Sequence, residues 1–135
     1  KADLTGFDSL LEDQLQDLLE NCKRFNVKTL IGSSGSFDSF IEMIWMKNGE
    51  RKLASSITKE EFNLDELNKL HQNLITYDFD SRKAIPGLVE MRVDTIHLAS
   101  YMVQWVLQKC GLERLLLSSY ALKEGVLHRV MENRI

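Results

Sequence analysis

A chain of 135 residues, 44% hydrophobic and 27% charged, is long enough to bury one core and too apolar to be disordered. Its net charge of -3, with Lys and Arg scattered evenly, leaves no basic stripe for a nucleic-acid backbone, and no run approaches the ~20 apolar residues of a membrane span. The first residue is Lys1 and not Met, which predicts a piece of a longer protein, and the two cysteines, Cys22 and Cys110, read as buried thiols of a reducing compartment, a disulfide being the less favoured alternative.

Leu10, Leu11, Leu15, Leu18, Leu19, Cys22 and Phe25 recur at helical spacing with acidic and amide residues between them, so residues 8–25 are predicted as one amphipathic helix. Residues 27–31 (Val-Lys-Thr-Leu-Ile) read as a short buried strand that stops at Gly32. Past the small-residue turn, Phe37, Phe40, Ile41, Ile44 and Trp45 mark a second helix. Asn48-Gly49 is a turn, and residues 50–59 form a loop with room for a short strand near 52–57. Leu64, Leu67, Leu70, Leu74 and Ile75 define a third helix, and residues 78–84 a short one before Pro86-Gly87. Residues 90–110 are predicted as the longest helix, apolar nearly all round and buried between layers, with Gly111 behind it. Leu115, Leu116 and Leu117 form a second buried strand, and Leu122, Val126, Leu127, Val130 and Met131 a last helix.

Two strands among about five helices do not make a sheet that is stable in water. The pattern therefore predicts one helix-rich α/β domain whose mostly parallel sheet is incomplete, the remaining strands coming from sequence before Lys1.

The segment with most chemical content is Gly32-Ser33-Ser34-Gly35-Ser36. Small residues between a strand and a helix let backbone N–H groups approach an anion at the helix's positive end. A plainer reading is a tight turn in which Ser34 or Ser36 caps a helix beginning at Phe37. Three further stretches give this turn a context: Ser81-Arg82-Lys83-Ala84-Ile85-Pro86-Gly87-Leu88, then Met91-Arg92-Val93-Asp94-Thr95-Ile96, then Leu117-Ser118-Ser119-Tyr120-Ala121-Leu122-Lys123-Glu124-Gly125.

In that order they resemble the second domain of the exopolyphosphatase and guanosine pentaphosphate phosphohydrolase (Ppx/GppA) family. There a strand and a Gly-Gly-Thr turn lead to a Leu-Pro-Gly-Leu segment, an Arg-Ala-Asp helix and a final Ser-Asp-x-Gly-Leu-Arg-Glu-Gly helix start. The resemblance covers nearly the whole chain. It implies the C-terminal part of the second actin-like, ribonuclease-H-like domain of a two-lobed protein, a fold shared with sugar kinases and the Hsp70 ATPase domain. It also implies that Gly32, Ser33, Ser34, Gly35 and Ser36 line the phosphate end of the cleft and that Arg92 faces it, able to hold a phosphate or a guanosine moiety. For the parent protein it implies cytoplasmic hydrolysis of polyphosphate or guanosine pentaphosphate with Mg²⁺. The chain departs from the family at Ser34, Ser36, Ser119, Ala121 and Lys123, where the family has Gly, Thr, Asp, Gly and Arg.

The family's first domain, both of its phosphate loops and its catalytic glutamate lie outside the matched region. No catalytic residue is therefore expected in this chain, which by itself is expected to be inactive. A non-catalytic actin-like module that binds a nucleotide or phosphate is the alternative, and a sugar kinase a weaker one. On residues alone, Arg92 reads equally as an ion-pair partner of a neighbouring loop, and Asp94 as a carboxylate placed for a helix dipole. Arg82 and Glu124 read as stabilising the fold, His97 as a satisfied core residue, and His71, His97 and His128 as too far apart for a metal site. An incomplete sheet also predicts that the isolated piece self-associates into a homo-oligomer or borrows strands from its missing N-terminal part.

Overall fold

The computed structural model describes Leu4 and residues 6–132. The N-terminal amphipathic stretch forms two helices, α1 (Phe7–Gln14) and α2 (Gln16–Arg24), and not the single predicted one. Leu15, at φ -114° and ψ 19°, leaves the helical region between them. Apolar spacing cannot register such a break, because one residue off the helical angles preserves the stripe on either side. Side chains of α1 tie it to a later helix: Tyr101 Oη donates to Asp8 at 2.8 Å, and Lys109 Nζ to Glu12 at 2.6 Å.

The strand β1 (Thr29–Ser33) leads through the small-residue turn into α3 (Ser36–Lys47), the most buried helix. The polar stretch after it contains a 3₁₀ turn (Ala54–Ser56) and then a strand, β2 (Lys59–Glu61), beyond the place where one was expected. Its Lys-Glu-Glu sequence has no strand propensity of its own. Pairing imposes it, and Arg114 Nε and Nη2 bond both carboxylate oxygens of Glu61 at 2.8 Å across the ladder.

Helices α4 (Leu64–Thr76) and α5 (Phe79–Lys83) follow, each begun by a side-chain cap that accepts backbone N–H groups, Asn63 and Asp78. The predicted helix over 90–110 is shorter than expected. A 3₁₀ turn (Glu90–Arg92) is followed by an irregular bend, and only then by α6 (Ile96–Lys109). The bend is held by buried Arg82, whose Nε donates to the Val93 carbonyl at 3.0 Å and Nη1 to the Tyr77 carbonyl at 2.7 Å. Nor is this stretch buried all round, since Met91 is 84% exposed. Asp94 does not cap α6, whose cap residue Thr95 makes no side-chain cap bond.

The chain ends in β3 (Arg114–Ser118) and α7 (Leu122–Met131). The sheet order is β1-β3-β2, with β1 parallel and β2 antiparallel to the central β3. One face, carrying Leu30, Leu115 and Leu117, packs on a core of Phe40, Met43, Ile44, Leu67, Leu74 and Ile96 from α3, α4 and α6. The opposite face carries Ile31, 64% exposed, beside half-buried Leu116. The described sheet is mixed, and its parallel β1–β3 pair, of a kind ordinarily covered on both faces, is covered on one only. Helix α7 buries no residue.

Candidate functional site

At the end of β1 the backbone turns into α3 through Ser34 and Gly35, at φ 58° and 60°. With ψ at -120°, Gly35 occupies a region that is essentially open to glycine alone. Helix α3 starts at Ser36, and neither Ser34 nor Ser36 caps it: Gly35 is the cap residue and no side chain accepts from the first turn. The Ser34 carbonyl takes the Phe37 N–H at 3.2 Å and the Gly35 carbonyl the Ser39 N–H at 3.4 Å. Among the described residues, the N–H groups of Ser36 and Asp38 find no acceptor. An uncapped N-terminus of this kind attracts anions.

The six residues expected at the crevice differ in what they offer. Gly32 is buried, and a Cβ there would lie 2.2 Å from the Phe37 ring, so it serves the packing of the turn. Ser33 and Ser34 are exposed, whereas Gly35, Ser36 and Arg92 are half-buried. The Arg92 guanidinium reaches the turn from the far side of the sequence. A methyl group built on Gly35 would sit 3.6 Å from its Nη1 and 3.9 Å from its Nη2. The ion pair with a neighbouring loop that Arg92 could have formed is absent among the described residues.

Two residues outside the expected set belong to the same neighbourhood. Asp38, in the first turn of α3, feels both Arg92 and Lys123. Burial and the Glu42 carboxylate nevertheless raise its carboxyl above the usual range, and the two cations pull it only part of the way back. Lys123, at the start of α7, is 82% exposed; its contact with Glu124 at 3.3 Å is too exposed to hold it. Sequence spacing could not have joined Asp38, Arg92 and Lys123, because only the fold brings these three segments together. An open groove of about 590 Å³, lined by Ser34, Lys123, Leu122, Val126, Leu127 and Val130, runs from the turn along α7. Glu124 sets the start of α7 by accepting the Ala121 N–H at 2.8 Å, a bond that holds its carboxyl below the usual range. Another hollow, of about 480 Å³ beside Met46 and Pro86, lies at the opposite end of α3, roughly 15 Å away by helix rise.

Buried polar groups elsewhere are structural. Ser100 Oγ donates to the His97 carbonyl at 2.9 Å, so the 3.1 Å contact with His71 Nδ1 has the imidazole as donor. Burial pushes His71 down, toward the neutral ring. His97 is not the satisfied core residue expected, for its buried Nδ1 has no partner, and burial assisted by Arg82 pushes it down as well. No three His, Cys, Asp or Glu side chains converge among the described residues. Asp38 has the Glu42 carboxylate beside it, and Glu42 accepts the Ala54 N–H at 2.8 Å. The residues here do not by themselves make a set for Mg²⁺.

Solved structures match the fold of this chain. An exopolyphosphatase from Cytophaga hutchinsonii superposes on 93% of the chain with a TM-score of 0.85 and 28% identity. The resemblance to the Ppx/GppA family holds in three dimensions. The Aquifex aeolicus member of the Ppx/GppA family matches 92% of the chain with a TM-score of 0.64 at 16% identity, a likeness of fold. The chain spans 40% of the first protein and 42% of the second. No protein-family model and no curated protein matches the chain. Its helix-rich α/β fold with an incomplete sheet is thus that of part of an actin-like Ppx/GppA domain. No helix among the described residues is long and apolar enough to cross a membrane.

Proposed function

We propose that the chain is the C-terminal part of the second actin-like domain of a cytoplasmic phosphatase, which hydrolyses terminal phosphoanhydride bonds of inorganic polyphosphate or guanosine pentaphosphate. The observation that carries this reading is the convergence of Arg92 and Lys123 on the uncapped N-terminus of α3, in a chain similar to an exopolyphosphatase. Guanidinium, ammonium and free N–H groups suit successive phosphates of a polyanion. In this role Ser33, Ser34, Gly35 and Ser36 form the floor that meets the phosphate, Gly32 sets the floor's height by packing under Phe37, and Arg92 and Lys123 hold negative charge from either side. All of them bind and orient. The attacking water, its carboxylate base and the residues that hold Mg²⁺ belong to the rest of the protein, where Mg²⁺ would neutralise charge developing on the transferred phosphoryl group.

The missing N-terminal part of the protein is the natural occupant of the bare sheet face at Ile31 and of the apolar side of α7. On this reading the isolated chain is inactive. The test is phosphate release by the full-length protein from polyphosphate and from guanosine pentaphosphate, with and without Mg²⁺. Release from either, abolished by chelation, is expected. Binding of both without release would replace the phosphatase with a non-catalytic actin-like sensor, and neither binding nor release would remove the phosphate site altogether.

A further inference from the structure

Both cysteines lie at one corner of the molecule, away from the crevice. Cys22 is buried near the end of α2, and Cys110 is the half-buried C-cap of α6. Bonds that do not involve sulfur hold these two helix ends side by side. The Lys28 carbonyl accepts from Glu113 N–H at 2.9 Å and from Arg114 N–H at 3.1 Å, and the Lys28 ammonium pairs with Glu113 at 2.7 Å. On one side of that clamp Val27 N–H returns to the Cys22 carbonyl at 3.0 Å; on the other, Leu112 N–H closes α6 on the Leu107 carbonyl at 2.9 Å. Each cysteine is therefore a few residues from a shared, backbone-bonded junction. Burial and the neighbouring Cys22 thiol push the Cys110 thiol up to about 11.

The two sulfurs differ in access. A cleft of about 210 Å³ lined by Leu19, Glu20, Lys23, Lys109 and Cys110 opens beside Cys110, while Cys22 is buried and does not line it. The charged groups around the cleft are Glu20 and Lys23 on α2 and Lys109 on α6, the last paired with Glu12 of α1 at 2.6 Å.

We propose that Cys22 and Cys110 form a reversible disulfide that latches α2 to the end of α6, made by exchange with a small anionic disulfide such as oxidised glutathione. The Cys110 thiolate attacks one sulfur of oxidised glutathione, forming a mixed disulfide and expelling one glutathione thiolate. The Cys22 thiolate then attacks the Cys110 sulfur and expels the second. Two protein thiols are oxidised, one disulfide is reduced, and the two protons lost by the protein thiols end on the two expelled glutathione thiolates. Lys23 gives the cleft a cation for a glutathione carboxylate. A thiol so weakly acidic exchanges slowly at neutral pH, and the rate rises about tenfold per pH unit below its titration.

The chain, incubated with oxidised glutathione at pH 8.5, is expected to lose two hydrogens by intact mass and to yield one cross-linked peptide containing Cys22 and Cys110. Dithiothreitol restores it, and the oxidised form has the higher denaturation midpoint. Cys22→Ala, which keeps the apolar packing, is expected to stop at one glutathionyl group on Cys110. Wild-type chain that ends with a glutathionyl group on Cys110 and no internal link, or that links only between two chains, would overturn the proposal. So would a chain that keeps both thiols after long incubation.

Discussion

Replacing Gly32 with alanine tests how the small-residue turn sets the candidate site. The new Cβ would lie 2.2 to 2.4 Å from three carbons of the Phe37 ring. Carbon atoms rest about 3.5–4.0 Å apart, so the ring must withdraw by more than about 1 Å. That ring is edge-on to Phe40, with centroids 6.1 Å apart and planes at 82°, and Phe40 is fully buried. Overpacking costs about 1–3 kcal/mol and a disturbed aromatic pair about 0.5–1.5 kcal/mol. Gly32→Ala should therefore cost about 2–4 kcal/mol, a large share of the ~5–15 kcal/mol that holds a domain together. Urea unfolding followed by the fluorescence of buried Trp45 and Trp105 measures it. Because the cost arises from a single contact, it should nearly vanish in a Phe37→Ala background, giving a coupling of about 2–4 kcal/mol in the double-mutant cycle. Equal costs in the two backgrounds would refute the assignment of Gly32 to packing under Phe37.

Arg82→Met removes two charge-assisted bonds to the Tyr77 and Val93 carbonyls, gross about 3–6 kcal/mol, and relieves a buried charge. A net loss of about 2 kcal/mol is expected by urea unfolding, together with weaker tripolyphosphate binding by calorimetry, because the bend that carries Arg92 is released; unchanged binding would contradict that link. Asp38 titrates above its usual range, so its neutral form is the one favoured by the fold, and its contribution to stability is present below the unfolded value and lost as pH rises through the folded one. Asp38→Asn should stabilise the chain at neutral pH and tighten tripolyphosphate binding, and it should remove the part of the wild-type affinity gained on acidification; a variant with the wild-type pH profile would exclude Asp38 from the site. Leu122, Leu127 and Met131 on α7 are 84%, 60% and 75% exposed, so sedimentation of the isolated chain should show concentration-dependent association that Leu122→Gln with Leu127→Gln weakens; a monomer at high concentration would contradict it.

The elements legible in the sequence were those whose cause is local. Helix α4 could be read because Leu64, Leu67, Leu70, Leu74 and Ile75 recur at helical spacing, and α7 because Leu122, Val126, Leu127, Val130 and Met131 do. Strand β3 could be read because three consecutive leucines between polar turns suit an interior strand. The quoted motifs carried the family resemblance, and the scarcity of strands among the helices the incomplete sheet. What only tertiary structure decided are features caused by residues far away in sequence. Lys59–Glu61 is a strand because β3 offers it a partner, and the stretch before α6 bends because buried Arg82 claims the Val93 and Tyr77 carbonyls. The site divides in the same way. The serine and glycine turn announces itself by composition, whereas the meeting of Asp38, Arg92 and Lys123 near the head of α3 joins three segments far apart in sequence. Periodicity encodes which face of an element is apolar and carries no information about which charged residues from distant segments that face will bring together.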